Sequence, residues 1–455
     1  MKGSKKMGLY VVAAILLMAL AFYQIELIFW EMPGKNANLS GSNTEPDEQA
    51  NLLRPTHLYV TLGGSDEGVY GRISWRDESF EATFESVYEL AAYILTEGPI
   101  EPWDWDALPW RKPACVMVYE FSMGRDLLKG QLGKLADNKE IAEIDGSWSE
   151  LWVVPAQRAD EEAQVFLVDS MGKSCARAAV PAWRLEANQA MRNMLLERGL
   201  QTETTYVASD HGFEDYFAVN SYVLEQTKHE IAYEMTTRSA FAEEGEEGRA
   251  RMDRYALRFF EYPDTVSVRE EGNAVSYSNE KLTIKLDING RMQYVETLTS
   301  EEKEMISMRE AYQLAAGFVR DDMRRSEVSG FGIQFADYEI TEEGQYTFYF
   351  QYTMGGFPFR MEEELVDRWH MPYPVRVTVE GSKVRRYERY VLDLVVEDME
   401  SYTLESTWLD AVAEFTMTGV QIDGAPRLIY TLWQDQLVLQ WEATTKEGQV
   451  RIAAS

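Results

Sequence analysis

Residues 7–30 form one long apolar run beside a short basic tail, and almost everything after them is acidic. The tail carries Lys2, Lys5 and Lys6. About 20 apolar residues cross the core of a bilayer, so the run is long enough for a transmembrane helix. Because lysines stay on the cytoplasmic side, we predict that residues 1–30 hold a cytoplasmic tail and a single span, with the bulk of the chain outside the cell.

A cleaved signal peptide is the competing interpretation of this run. Ala19, Leu20 and Ala21 match the small-residue pattern of a cleavage site. The apolar character resumes at Phe22 and continues to Trp30, which favours an uncleaved anchor.

The composition is that of a folded, acidic protein. The chain has 455 residues and a formal net charge of −32, with 45% hydrophobic and 12% aromatic residues. Binding to nucleic-acid phosphates needs clustered lysine and arginine, so this charge excludes a nucleic-acid partner. The two cysteines, Cys115 and Cys175, allow either one disulfide or two buried free thiols.

The patterns predict an α+β chain with several modules. We predict a disordered linker over 31–55, a mixed N-terminal domain over 56–240, a middle α+β module over 250–398 and a small C-terminal α+β module over 399–455. Residues 243–249, rich in glutamate and glycine, are interpreted as the break after the first domain.

In the first domain, short β-type runs alternate with amphipathic stretches. Strands are predicted at 57–62, 115–121, 151–154 and 165–168. Helices are predicted at 80–95 and 185–198, the first with Phe84, Val87, Leu90, Ala91 and Ile94 on one face.

After the break the pattern is typical of antiparallel sheet. Leu282, Ile284, Leu286 and Ile288 alternate with polar residues, which predicts one buried face, and Asn289-Gly290 is a strong hairpin signal. A capping box at 299–302 predicts a helix that continues to Met323. Further elements are predicted as follows: strands at 346–352, 375–379, 390–396, 428–433 and 437–441, and a helix at 404–415.

The sequence predicts no catalytic, metal-binding or cofactor-binding residue. His229-Glu230 begins like a zinc helix, but Tyr233 stands where the second histidine belongs. Asp210-His211 could orient an imidazole beside a nucleophile, but the sequence has no Gly-x-Ser-x-Gly motif. The pair is therefore interpreted as part of a loop.

Two features favour binding to another protein. The first is the densest basic patch of the chain, which suits an acidic partner; the alternative is a solvated strand face paired with local carboxylates. The patch consists of Arg376, Lys383, Arg385, Arg386 and Arg389.

The second feature is one helical seam in the apolar run, formed by Tyr10, Ala14, Leu17, Ala21 and Gln24. Small residues and a buried amide favour helix association in lipid, although a plain anchor explains them equally well.

The layout resembles the YycH/YycI family of Gram-positive membrane-anchored regulators, with the closer likeness to its YycH branch. The local likenesses are at 108–121, 258–266, 275–282, 356–359 and 374–379. The resemblance implies a non-enzymatic extracytoplasmic regulator of the WalK (YycG) sensor histidine kinase, which controls cell-wall metabolism. It also implies contact through transmembrane helices and a second, YycI-like accessory protein. The alternatives are an envelope hydrolase or peptidase, with Glu230 and His211 as its test positions, and an extracytoplasmic ligand-binding or assembly module.

Overall fold

The computed structural model describes residues 53–454 with internal gaps. The gaps are 64–68, 75–76, 126, 129–145, 170–173, 199–202, 208–221, 225–230, 243–244, 298–305, 326–330, 342–344, 355–356, 418, 420–421, 423–425, 434–435 and 446–447. The described residues lie in one compact unit.

Six helices lie within the described ranges. They are α1 Phe80–Glu97, α2 Glu186–Arg198, α3 Gly245–Leu257, α4 Met308–Arg325, α5 Glu363–Trp369 and α6 Trp408–Met417.

The first half of the described chain forms a nine-stranded antiparallel sheet. Its strands are β1 His57–Thr61, β2 Val69–Ser74, β3 Ile100–Trp103, β4 Ala114–Gly124, β5 Ser147–Val154, β6 Ala163–Asp169, β7 Ser174–Val180, β8 Glu203–Val207 and β9 Tyr222–Leu224. Their order in the sheet is β3-β7-β6-β5-β4-β1-β2-β8-β9.

The two faces of this first sheet are covered differently. Val87 and Leu90 of α1 pack with alternate strand residues such as Leu151 in one core. On the opposite face, Trp152 and its neighbours pack under Trp103, Trp105 and Trp110. Cys115 and Cys175 belong to opposite faces and are both free thiols, so the alternative of two unbridged cysteines is confirmed.

The second half forms a 14-stranded sheet. Its strands are β10 Ile231–Ser239, β11 Ser267–Glu271, β12 Ala274–Ser278, β13 Leu282–Asp287, β14 Arg291–Glu296, β15 Gly332–Ile340, β16 Tyr346–Met354, β17 Phe357–Arg360, β18 Val375–Glu380, β19 Lys383–Tyr390, β20 Leu392–Thr403, β21 Arg427–Trp433, β22 Gln436–Thr445 and β23 Gly448–Ala453. The order is β11-β12-β13-β14-β19-β18-β16-β17-β21-β22-β10-β20, with β15 beside β16 and β23 beside β22. Among the described pairs, β17 and β21 run parallel and the others antiparallel.

Most predicted elements, and the α+β class, are confirmed. The hairpin at Asn289-Gly290 joins β13 to β14, and Gly290 adopts a φ of 94°, where a side chain would be strained. Leu282, Ile284 and Leu286 are buried, as their alternation predicts, but Ile288 is 40% exposed because the strand ends at Asp287.

Two predictions of local structure are wrong. Residues 306–307 are not helical, and α4 begins at Met308 because Ser307 and Glu310 cap it reciprocally, with Glu310 Oε2 accepting from Ser307 N at 2.9 Å. Most of the predicted break at 243–249 is the first turn of α3, since glutamates are favourable near a helix N-terminus. The domain limits stay a prediction, and the change of sheet falls between β9 and β10.

The two sheets meet where β4 leaves its partner. β4 and β5 lose register between Val118 and Met123, which frees the segment holding Glu120 and Phe121. The Phe121 ring packs edge-on against Phe335 of β15 at 4.6 Å, and Gln351 of β16 donates to Glu120 at 3.0 Å.

Candidate functional site

One face of the second sheet carries polar side chains in cross-strand rows. The inward residues of β13, β14, β18 and β19 pack against α3 and α4, so the alternate residues point the other way. The register pairs Lys285, Gln293, Glu388 and Arg376 in one row, and Thr283, Val295, Arg386 and Thr378 in the next. These eight residues, with Arg291 at the end of β14, are called the open face.

Glu388 is the centre of the open face. It accepts hydrogen bonds from Arg291 Nη2 at 2.9 Å, Gln293 Nε2 at 3.0 Å and Arg376 Nε at 2.9 Å. Burial alone would raise the pKa of Glu388, but the hydrogen bonds from Arg376 and Gln293 lower it. Arg376 therefore has a local carboxylate partner, as the alternative interpretation of the basic patch expects.

The hairpin between β18 and β19 displays the other cations of the predicted patch. Lys383 Nζ lies 3.4 Å from Glu296, and Arg385 Nε lies 3.9 Å from Glu380. Arg385 is the extra residue of a β-bulge, since Thr378 faces Arg386 and Val379 faces Val384. Arg386 is exposed and makes no ion pair with any residue that the structure describes.

Arg389 does not lie on this surface, which corrects the predicted patch. Its side chain is 1% exposed and points into the interior, because it alternates with Glu388 along β19. Its Nη1 lies 2.6 Å from Asp322 Oδ2 on α4, and its Nε donates to the Tyr352 hydroxyl at 2.7 Å. Arg389 therefore cannot contact a partner in this fold.

Asp322 organises this interior cluster and is not among the functional residues predicted from the sequence. Its carboxylate also accepts from the hydroxyls of Tyr387 at 2.6 Å and Tyr255 at 3.1 Å, and pairs with Arg258. Burial alone would raise the pKa of Asp322, but the charges of Arg389 and Arg258 lower it. A signal was present: Asp322 follows Val319 by three residues on the apolar stripe of the helix.

A second ion network joins the two sheets. Glu442 of β22 contacts Arg360 at 3.2 Å, Arg427 at 2.7 Å and Arg451 at 3.0 Å. Arg427 also reaches Glu120 of the first sheet, at 2.6 Å. Burial alone would raise the pKa of Glu442, but Arg360 and Arg427 lower it to about 2.

Several predicted positions lie outside the described residues. They are the seam of Tyr10, Ala14, Leu17, Ala21 and Gln24, together with His211, His229 and Glu230. No helix in the described ranges has both the length and the apolarity needed to cross a membrane. Within the same ranges, no group of three histidine, cysteine or carboxylate side chains is arranged to hold a metal ion.

This architecture defines an α+β protein with two large sheets, the first antiparallel and the second antiparallel except for one parallel pair, each with helices packed on it. A solved structure has the same fold: the crystal structure of YycH from Bacillus subtilis matches with a TM-score of 0.54 and 12% sequence identity. The alignment covers 91% of this chain and 99% of that one, so the YycH-like fold expected from the sequence is confirmed. No family model matches the sequence, and no curated protein matches it.

Proposed function

We propose that this chain is a non-enzymatic regulator of a membrane sensor histidine kinase that controls cell-wall metabolism. The observation that carries the proposal is the YycH-like fold, which extends over 91% of the chain. In this proposal residues 7–30 anchor the chain, its N-terminus is cytoplasmic and its bulk is extracellular. A second, YycI-like accessory protein takes part in the same assembly.

The regulator acts through contacts that differ between the two states of the kinase. A protein that binds both states equally shifts nothing, whereas a difference of about 1–3 kcal/mol changes the populations measurably. Two surfaces supply the contacts in this proposal: the predicted seam of Ala14 and Ala21 within the membrane, and the open face outside it.

The open face is suited to an acidic partner surface. Arg386 is exposed and has no local partner in the described part of the chain, and Lys285 and Arg376 lie in the adjacent row. In a chain with a net charge of −32, such a face offers attraction where the rest of the surface repels acidic proteins.

Charge reversal at Arg386 tests this contact. We expect Arg386→Glu to lower recovery of the kinase in co-purification from membranes by about fivefold, because an exposed ion pair contributes up to about 1 kcal/mol. The matched control is Arg158→Glu, since Arg158 is 70% exposed and lies between β5 and β6 of the first sheet, outside the open face. Equal recovery of both variants and the unchanged chain would remove the open face from the proposal.

A further inference from the structure

A surface cleft lies beside the network that joins the two sheets. The segment from Arg360 to Tyr373 forms one side of the cleft, and Gln449 and Arg451 of β23 form the other. Its volume of about 300 Å³ is at the lower end of the range for small-molecule sites. The regulator proposal does not use this cleft.

Guanidinium groups line the inner part of the cleft. Arg451 donates its Nε to Glu442 at 3.0 Å, while its two terminal nitrogens make no hydrogen bond to a described residue. Arg360 lies beside it and contacts Glu442 at 3.2 Å and Glu120 at 3.7 Å. With Arg427, three guanidinium groups share these two carboxylates, so the groups in direct contact carry one unbalanced positive charge.

One wall of the cleft is apolar. Met361 and Val366 line it, and Met361 is 2% exposed. Tyr373 completes this wall, and burial raises the pKa of its phenol, which therefore stays protonated at neutral pH. The wall suits a short apolar side chain and offers one hydroxyl donor.

Two carboxylates stand at the mouth of the cleft. Glu363 and Asp367 are exposed and lie one turn apart on α5, so their side chains are neighbours on the helix surface. Neither forms an ion pair with a residue in the described ranges. The cleft thus places positive charge inside and negative charge at the entrance.

We propose that this cleft binds a small zwitterion of the amino-acid or short-peptide class. The terminal nitrogens of Arg451 hold the ligand carboxylate, in the two-point geometry that guanidinium groups favour. Glu363 and Asp367 hold the ligand ammonium, and the ligand side chain packs on Met361 and Val366.

Three probes separate a zwitterion site from a plain ion site. The full chain is titrated calorimetrically with L-alanyl-L-alanine, with its N-acetyl derivative and with its C-terminal amide. We expect saturable binding of the dipeptide and affinities about tenfold lower for each blocked probe, because each loses one charge-assisted contact. No saturable binding of the dipeptide, or equal affinity for the dipeptide and the N-acetyl probe, would overturn the proposal.

Exposed variants at the mouth test the same site without disturbing the core. Glu363→Gln combined with Asp367→Asn is expected to weaken dipeptide binding about tenfold and to leave binding of the N-acetyl probe unchanged. Glu364→Gln is the control, because Glu364 is exposed on the same helix and does not line the cleft. An equal effect of the control would contradict the assignment, and the regulator proposal would stand independently of that result.

Discussion

The two ion networks of this protein differ in what they hold together. The interior cluster joins α4 to β19, and both of its central side chains, Asp322 and Arg389, are at most 1% exposed. The inter-sheet network joins β4 of the first sheet to β21 and β22 of the second. Its carboxylates, Glu442 and Glu120, are 0% and 10% exposed.

The two networks share one arrangement, in which several arginines surround a single buried carboxylate. In both networks one buried carboxylate serves several donors, so removing it leaves more than one guanidinium without a partner. An uncompensated buried charge costs more than the ion pair contributes, so the carboxylate is the sensitive member of each network. The interior cluster is expected to be the more sensitive of the two, because Arg389 is 1% exposed whereas Arg427 and Arg451 are 24% and 23% exposed.

The largest effect is expected at Asp322. We expect Asp322→Ala to lower the free energy of unfolding by about 3–5 kcal/mol, because Arg389 would remain buried without a counter-charge. Denaturant unfolding of the full chain measures this change. Asp321→Ala is the matched control, since Asp321 is the exposed neighbour on the same helix, and a loss of similar size there would contradict the assigned role.

The inter-sheet network predicts a pH dependence that Glu442 controls. The pKa of Glu442 is about 2 in the folded chain, against an ordinary value of 4.5, so the unfolded chain binds more protons between these values. Its contribution is complete above about pH 5 and is lost as the pH falls toward 2. The difference in unfolding free energy between the unchanged chain and Glu442→Gln should therefore shrink by about 2 kcal/mol from pH 6 to pH 3. A difference that does not vary with pH would contradict this account of Glu442.

The smallest of the three effects is expected at Glu120, whose side chain is 10% exposed and which keeps Gln351 as a hydrogen-bond donor. We expect Glu120→Gln to lower the unfolding free energy by about 1.5 kcal/mol through the weakened contact with Arg427. Glu101→Gln is the control, because Glu101 is 56% exposed in the first sheet and does not reach the second. Equal stability of the two variants would show that the ion pair between the sheets adds nothing.

The sequence predicts the features of this fold that depend on neighbouring residues. Alternation from Leu282 to Leu286 and the turn at Asn289-Gly290 give β13, β14 and their register, since period and turn chemistry are local. The predicted start of α4 is too early because the sequence offers two capping patterns, one at 299–302 and one at Ser307–Glu310. Propensity alone does not choose between them.

The two ion networks could not be predicted from the sequence, for different reasons. Asp322 lies on the apolar stripe of a predicted helix, so its burial could be predicted from the sequence. Its partner Arg389 could not, because the two residues are distant in the sequence. The contact between Glu120 and Gln351 joins residues 231 positions apart, and a loss of strand register creates it. The sequence predicts a single basic surface, but alternation along β19 places Arg386 and Arg389 on opposite faces.

Site-specific photo-cross-linking in intact cells tests the regulator proposal most directly. A photoreactive residue replaces Arg386 on the open face in one variant of the full chain and Arg158, between β5 and β6 of the first sheet, in the other. The account predicts that the first position captures a sensor histidine kinase and that the second captures far less of it. No kinase at position 386, or equal capture at both positions, would contradict regulation through this surface.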